Sequence, residues 1–523
     1  MIEVSNLSYA IPGGRVLFRD VTFRVPHRSH VALVGANGAG KTTLFRLIEG
    51  AEAPKEGFIR VEGRLAVMDQ FIGRGDKVLT VREFLESLAS GPVRSAAKSL
   101  RAAEAAAAGE DTEGAHMRYA DALADWAEVG GYETEVLWDT CTTSAFGMRL
   151  EDVGDRALAT LSGGEQKRLA LETLFRSDAD VLLLDEPDNF LDVPRKTWLD
   201  ETMNASPKTI LYVSHDRELL ARTSTRVVTL EAHGAWVHPH SYRSYQEGRE
   251  QRLVRQDTER RLYTDEHARL TAMMKEFKRR AALNPKFATR AKSVESRIER
   301  FEKDNAPAER VSEQDIKMRL GGGRTGKIAL RIEDLAFPDL VEPFSTEIYF
   351  GERVGILGPN GTGKSHFVRL LAGEAVVHTG TWRLGARVTP DLFSQTHDHP
   401  ELGDTPILEH LRARGLSIGS AMTGLKRYEL HPAASSPFSS LSGGQQARFQ
   451  ILCLELDNPT MLLLDEPTDN LDVDSAEALE VGLAGYTGTV ITVTHDRWFM
   501  RLLDRFLIFD AAGRVTEALE SPY

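Results

Sequence analysis

The sequence predicts an α/β protein that uses one folding unit twice, with an α-helical hairpin linker between the copies. Three observations predict it. The first is an internal repeat of chemically loaded motifs, in the same order and nearly the same spacing. One set runs Gly35-Ala36-Asn37-Gly38-Ala39-Gly40-Lys41-Thr42-Thr43, then Gln70, Leu161-Ser162-Gly163-Gly164-Glu165, Asp185-Glu186 and His215. The other runs Gly358-Pro359-Asn360-Gly361-Thr362-Gly363-Lys364-Ser365-His366, then Gln395, Leu441-Ser442-Gly443-Gly444-Gln445, Asp465-Glu466 and His495. Ser162 precedes Asp185 by 23 positions and Ser442 precedes Asp465 by 23; Glu186 precedes His215 by 29 and Glu466 precedes His495 by 29. The second observation is that each glycine-rich loop lies between a short apolar run and an amphipathic pattern, a strand-loop-helix signature. The third is a charge-dense stretch between the sets, almost free of Gly and Pro, whose composition fits a long solvated helix.

Taken in order, the first element is the strand Val31-Ala32-Leu33-Val34, followed by the loop and the helix that begins near Lys41. In Gly-x-x-x-x-Gly-Lys-Ser/Thr the glycines let successive N–H groups curl around phosphate oxygens, and the following helix points its positive end at the same anion. Lys41 and Lys364 then reach the β- and γ-phosphates, and the hydroxyls of Thr42 and Ser365 hold Mg²⁺. Gly35, Asn37, Gly38, Gly40 and Thr43 complete the first cradle, and Gly358, Asn360, Gly361, Gly363 and His366 the second. The chain is thus read as two P-loop nucleotide-binding domains that take ATP with Mg²⁺.

From Gln70 to Ser162 the first copy is about 45 residues longer than the second. The extra residues, about 92–130, include an alanine-rich helical stretch from Ser95 to Ala108, a polar break at 109–112 and a second helical stretch to Ala127, and are expected to form a helical arm. Next come the runs Val181-Leu182-Leu183-Leu184 and Met461-Leu462-Leu463-Leu464, which read as buried parallel strands that deliver Asp185 and Asp465 to the C-terminal edge of a sheet. These aspartates are the expected Mg²⁺-side carboxylates. Glu186 and Glu466 are the expected groups to orient or deprotonate the attacking water, and His215 and His495, each ending an apolar strand, are placed to contact the γ-phosphate.

The linker, about 241–326, is expected to contain one helix over 245–280, a break at Asn284-Pro285, and a return helix over 288–303. Between 269 and 292 it carries Arg269, Lys275, Lys278, Arg279, Arg280, Lys286, Arg290 and Lys292 against Glu276, on a chain whose formal net charge is −13. A basic end on an acidic protein is a local feature, and phosphate backbone is its natural target.

Composition excludes other classes. Hydrophobic residues are 41% and charged residues 27%, an ordinary globular balance. No apolar stretch approaches the ~20 residues of a spanning helix, and Met1-Ile2-Glu3-Val4 opens without the pattern of a secretory signal. Cys141 and Cys453 are the two cysteines, too few and too far apart for a metal cluster, which fits a reducing cytoplasm. Both are read as buried small side chains.

Together these motifs resemble the ATP-binding-cassette family, and the Leu-Ser-Gly-Gly-Glu/Gln element is the specific part. The resemblance implies two composite sites closed head to tail. One joins Lys41, Thr42, Gln70, Asp185, Glu186 and His215 to Ser442, Gly443 and Gly444; the other joins Lys364, Ser365, Gln395, Asp465, Glu466 and His495 to Ser162, Gly163 and Gly164. Gln70 and Gln395 are, on the same resemblance, ligands on the Mg²⁺ side. Two fused cassettes, no membrane part and a charged connector are similar to the ABC-F proteins. The stretch Pro187-Asp188-Asn189-Phe190-Leu191-Asp192 resembles that family's loop after the Walker-B strand, with Phe190 where histidine is common.

The family resemblance implies a cytoplasmic ATPase that acts on the 70S ribosome at the tRNA exit site. Its connector residues Arg279, Arg280, Lys286, Arg290 and Lys292 would lie near ribosomal RNA and P-site tRNA. It implies a role in translation or in protection from ribosome-targeting antibiotics, and a monomer with an intramolecular cassette pair. The alternative is a cytosolic ATPase pair energising a separate membrane transporter. The expected domains are 1–240, the linker 241–326, and 327–523. Tyr9 and Phe337 stand upstream of the loops at positions suited to stacking on a base, although an aromatic in such a strand is more often core.

Overall fold

A computed structural model describes residues 1–11, 16–68, 79–109, 112–281, 286–305, 316–394, 402–469 and 471–522. Each repeat contains one six-stranded sheet. In the first, the strands lie in the order Leu65–Met68, Val181–Asp185, Thr209–Val213, His30–Val34, Arg226–Leu230 and Ala235–His238. In the second the order is Pro390–Phe393, Met461–Asp465, Thr489–Val493, Arg353–Leu357, Arg505–Phe509 and Val515–Ala518. Only the last strand of each sheet pairs antiparallel. Val181–Asp185 and Thr209–Val213 are buried at every position, as are Met461–Asp465 and Thr489–Val493. That burial explains why they read as unbroken apolar runs rather than alternating ones. A three-stranded antiparallel sheet packs beside each main sheet: Val16–Val25, Ile2–Ala10 and Glu56–Val61 in the first repeat, and Val341–Tyr349, Ile328–Phe337 and Thr379–Leu384 in the second.

The extra residues of the first repeat form the helices Gly91–Gly109 and Glu113–Glu128. Thr112 caps the second of these by accepting the N–H of Ala115 at 3.3 Å. Trp126 at its far end packs against Trp138, with ring centroids 6.2 Å apart. Gly131 leaves room for that ring, since a Cβ there would sit 2.0 Å from Trp126. Both cysteines are buried.

The connector is a two-helix hairpin. Tyr245–Ala281 is a single 37-residue helix, about 55 Å long at 1.5 Å per residue, and Lys286–Asn305 returns beside it. The helices are joined by stacking of Tyr263 on Phe301 at 5.0 Å and by ion pairs from His267 to Glu302 at 2.8 Å and Lys278 to Glu295 at 2.9 Å. Packing therefore brings acidic partners to the basic end that the local charge string does not show. The Asn284-Pro285 break lies outside the described residues. Among the described residues no helix is long and apolar enough to cross a membrane.

Candidate active site

Both phosphate loops follow the central strand of their sheet and end in a helix capped by glycine, Gly40 before Lys41–Glu49 and Gly363 before Lys364–Leu371. Neither cap offers a side chain, so the first-turn N–H groups stay directed at the loop. Gly35 and Gly358 adopt φ of 154° and 146°, and a Cβ at Gly358 would meet the carbonyl oxygen of Phe509 at 2.1 Å. Lys41 Nζ donates to the Gly35 carbonyl at 2.7 Å, and Lys364 Nζ to that of Gly358 at 2.8 Å. Burial pulls both ammonium groups below the ordinary lysine value, with Asp472, Glu186 and Asp185 opposing it at Lys41 and Glu466, Asp192 and Asp465 at Lys364.

Thr42 Oγ1 donates to Asp185 Oδ2 at 2.8 Å, and Ser365 hydrogen-bonds Asp465. Asp465 keeps its Oδ1 buried without a hydrogen-bond partner. A hydroxyl and a carboxylate with an unsatisfied oxygen are hard donors that suit Mg²⁺. Thr43 and His366 occupy the next positions of the same helices. Gln70 and Gln395 lie outside the described residues.

Glu186 and Glu466 both have φ of 49°, a left-handed backbone that glutamate rarely adopts. Each is held there by its N–H bonding across to the neighbouring strand, Glu186 to the Val213 carbonyl at 2.9 Å and Glu466 to that of Val493 at 3.0 Å. His215 Nε2 lies 3.8 Å from Glu186 Oε1, and His495 Nε2 lies 3.4 Å from Glu466 Oε1. The His495 N–H also donates to Glu466 Oε2 at 3.0 Å. Burial, reinforced by Asp469 and Asp465, holds Glu466 well above the usual carboxylate range. Burial and then Lys41 lower His215 to about 3, and burial with Lys364 lowers His495, so both imidazoles are neutral near pH 7.

Ser162 and Ser442 are N-caps of the helices Gly163–Arg176 and Gly443–Asp457, each closing a capping box with Glu165 or Gln445. Ser162, Gly163 and Gly164 share a cavity of about 310 Å³ with Asn360, Gly361 and Glu466 of the opposite repeat. Gly164 is needed there because a Cβ would lie 2.7 Å from the Phe190 carbonyl, and that same carbonyl accepts Asn360 Nδ2 at 3.3 Å. Reciprocally, the Asn37 N–H donates to Asp472 Oδ2 at 3.3 Å. Gly35, Asn37, Gly38 and His215 line a second cavity of about 500 Å³ together with Asp472. Ser442, Gly443 and Gly444 keep the same local geometry as the first signature and line neither cavity.

Several interface residues escaped the sequence reading. Arg217 pairs with Glu480, and Arg497 with Asp200 at 2.5 Å, two crossed pairs between the repeats. Arg501 reaches Glu218 at 2.9 Å. Phe337 is packed into the core of the second repeat at 2% exposure, so its position in the strand reflects packing. The Tyr9 ring, half-buried, lies 6.3 Å from that of Phe18.

With this geometry in view, residues 18–189 and 341–469 match the family described as "ABC transporter". Over 99% of both chains the sequence is 47% identical to a Mycobacteroides abscessus protein named "Antibiotic resistance protein". It is 29% identical to the "Energy-dependent translational throttle protein EttA" of Escherichia coli (strain K12), over 97% of this chain and 91% of that one. Among solved structures, "Model of ribosome-bound archaeal Pelota and ABCE1" shares the fold, with a TM-score of 0.56 at 20% identity, over 99% of this chain and 78% of that one. Two ATP-binding cassettes in tandem, closed on each other and joined by a helical hairpin, place the chain in the ATP-binding-cassette family, as a member of its ABC-F branch.

Proposed function

We propose that this protein hydrolyses ATP to ADP and phosphate and acts on the ribosome at the tRNA exit site, modulating translation or protecting it from ribosome-targeting antibiotics. The observation that carries the reading is the 47% identity over 99% of both chains, a span that takes in both cassettes and the connector. The division into cassettes at 1–240 and 327–523, with the connector at 241–326, belongs to the same reading.

In the proposed mechanism Lys41 and Lys364 hold the β- and γ-phosphates, and Ser162 and Ser442 with their following glycines cap the γ-phosphate from the opposite cassette. Thr42 with Asp185, and Ser365 with Asp465, would hold Mg²⁺, which supplies charge neutralisation at the phosphates. Glu186 and Glu466 orient the attacking water, steadied by His215 and His495.

Cassette closure has a physical route to the connector. The helix Val473–Gly485 of the second cassette presents Asp474, Glu477 and Glu480 along one face. Asp474 accepts Arg249 at 2.7 Å, Glu477 accepts Gln246, and Glu480 accepts Arg217. Its cap, Asp472, holds the phosphate loop of the first cassette. One rigid element therefore touches the Lys41 loop and the foot of the connector.

At the far end of the hairpin Arg279, Arg280, Lys286, Arg290 and Lys292 are exposed. Arg280 and Arg290 lie at 6.0 and 5.5 Å from the Phe287 ring, while Glu276 pairs with Arg279 and Arg280. Replacing all five with Gln is expected to weaken ribosome binding and flatten its salt dependence. The log–log slope falls by about 0.7 for each phosphate that is no longer neutralised, roughly 3.5 if all five charges touch RNA. ATPase activity without ribosomes should stay at the parental level. Co-sedimentation with ribosomes across a salt series, with a non-hydrolysable ATP analogue, measures both quantities; parental affinity and slope would reduce the hairpin to a spacer.

A further inference from the structure

Between the two sites lies one buried lysine with no counterpart in the other cassette. Lys196 is four residues after the helix cap Asp192; the residue four after the matching cap Asp472 is Ala476, also buried. Both caps close in the same way, Asp192 accepting the Arg195 N–H at 3.1 Å and Asp472 that of Ser475 at 3.0 Å, so the two positions are equivalent in register. Lys196 Nζ donates to the main-chain carbonyl of His495, in the opposite cassette, at 3.3 Å. It also pairs with Asp216, the residue after His215, at 3.1 Å. Burial works against its charge, but Asp216, Asp188, Asp469 and Asp496 more than offset that and keep it an ammonium.

The contact matters because of what His495 does. Its N–H and its ring both face Glu466, at 3.0 and 3.4 Å, and Lys196 lines the same cavity as Glu466, Ser162 and Gly163. The carbonyl and the N–H of His495 lie in the two peptides that flank one Cα, so anchoring the carbonyl from across the interface restrains the residue whose N–H and ring face Glu466. The contact crosses the interface between the cassettes. At the other site Ala476 has no donor to offer.

We propose that Lys196 is a positioning residue supplied in trans, which aligns the His495–Glu466 pair for hydrolysis at the Lys364 site and leaves the Lys41 site without an equivalent. The two ATP sites are consequently unequal by construction. The contact with Asp216 matters less for the Lys41 site, since Asp216 is also held by the Leu219 N–H at 2.9 Å and by Arg497 at 3.6 Å.

This inference rests on the ATPase reading, and its test separates the two. Full-length protein without ribosomes is assayed for phosphate release in a Glu186→Gln background, where the Lys364 site alone turns over, and in a Glu466→Gln background, where the Lys41 site alone does. Failure of either background to lose its own site's turnover would count against the ATPase assignment and not against Lys196. Lys196→Met is expected to lower kcat at the Lys364 site about tenfold, as for loss of one charge-assisted hydrogen bond, with KM for ATP changed less than about twofold. The Lys41 site should change less than about twofold. Because methionine removes the Lys196 cation from Asp188 and leaves Asp216 with Arg497 alone, Lys196→Gln, which keeps a donor, and Lys196→Arg, which keeps the charge, are measured alongside with thermal melting; arginine should restore much of the lost rate. A fall shared equally by both sites, or an unchanged kcat at the Lys364 site in a folded variant, would overturn the proposal.

Discussion

Glu186→Gln combined with Glu466→Gln is expected to slow ATP hydrolysis by about 10²–10⁴-fold, the range for loss of a positioned general base, while ATP still binds. Each glutamate follows the aspartate proposed for Mg²⁺, sits in a strained left-handed backbone, and faces a neutral histidine. Strain of that kind persists where the surroundings over-determine it, here through the bonds to Val213 and Val493. Glutamine preserves the shape and the hydrogen-bond length but cannot accept a proton from water. The phosphate loops, Thr42, Ser365 and both signature serines are untouched, so affinity for ATP should remain and the closed pair should accumulate. Phosphate release under single-turnover conditions checks the rate, and retention of labelled ATP on the protein checks the trap. A double variant that releases phosphate at the parental rate would remove both glutamates from the proposed chemistry.

The parts of this fold that were legible in the sequence are those whose cause is local. A phosphate loop needs glycines at fixed offsets, a buried parallel strand needs four apolar residues in a row, and a long exposed helix needs charge without Pro; each leaves a mark within a few positions. The hairpin shows this well: helices expected over 245–280 and 288–303 run Tyr245–Ala281 and Lys286–Asn305. The arm behaves likewise, with Gly91–Gly109 and Glu113–Glu128 filling the stretch expected to be helical. What escaped has a non-local cause. Arg497 and Asp200 are 297 residues apart, as are few pairs that a motif search would join. In retrospect the repeat carried a signal: Asp200 and Glu480 each lie eight positions after Asp192 and Asp472, and Arg217 and Arg497 each two after His215 and His495. Repeat-matched opposite charges mark an interface that pairs head to tail. Lys196 lacked even that, because its function lies in the mismatch with Ala476. Phe337 shows the converse limit, since a stacking aromatic and a core aromatic look alike in a strand, and the core cluster it shares with Phe367 and Phe509 from elsewhere in the chain decided between them.

Ser162→Arg is expected to abolish most hydrolysis at the Lys364 site, by roughly 10²–10³-fold as for loss of a preorganised donor at developing charge, and to spare the Lys41 site. The first signature faces the second phosphate loop: Ser162 and Gly163 share a cavity with Asn360, Gly361 and Glu466, and the Phe190 carbonyl beside Gly164 binds Asn360. An arginine at 162 would fill the space where the γ-phosphate is to be capped, with Lys364 and Ser365 left intact. It also removes a helix cap, since Ser162 Oγ accepts the Glu165 N–H at 3.3 Å, at a cost of about 1 kcal/mol in stability. A Ser162→Ala control removes the cap without the bulk and separates the two effects. Measured in the Glu186→Gln background, where the Lys364 site alone is active, Ser162→Arg should leave almost no phosphate release; in the Glu466→Gln background the rate should stay near that of its parent. A loss confined to the Lys41 site would mean that each signature serves its own cassette, and the head-to-tail assignment of both composite sites would have to be abandoned.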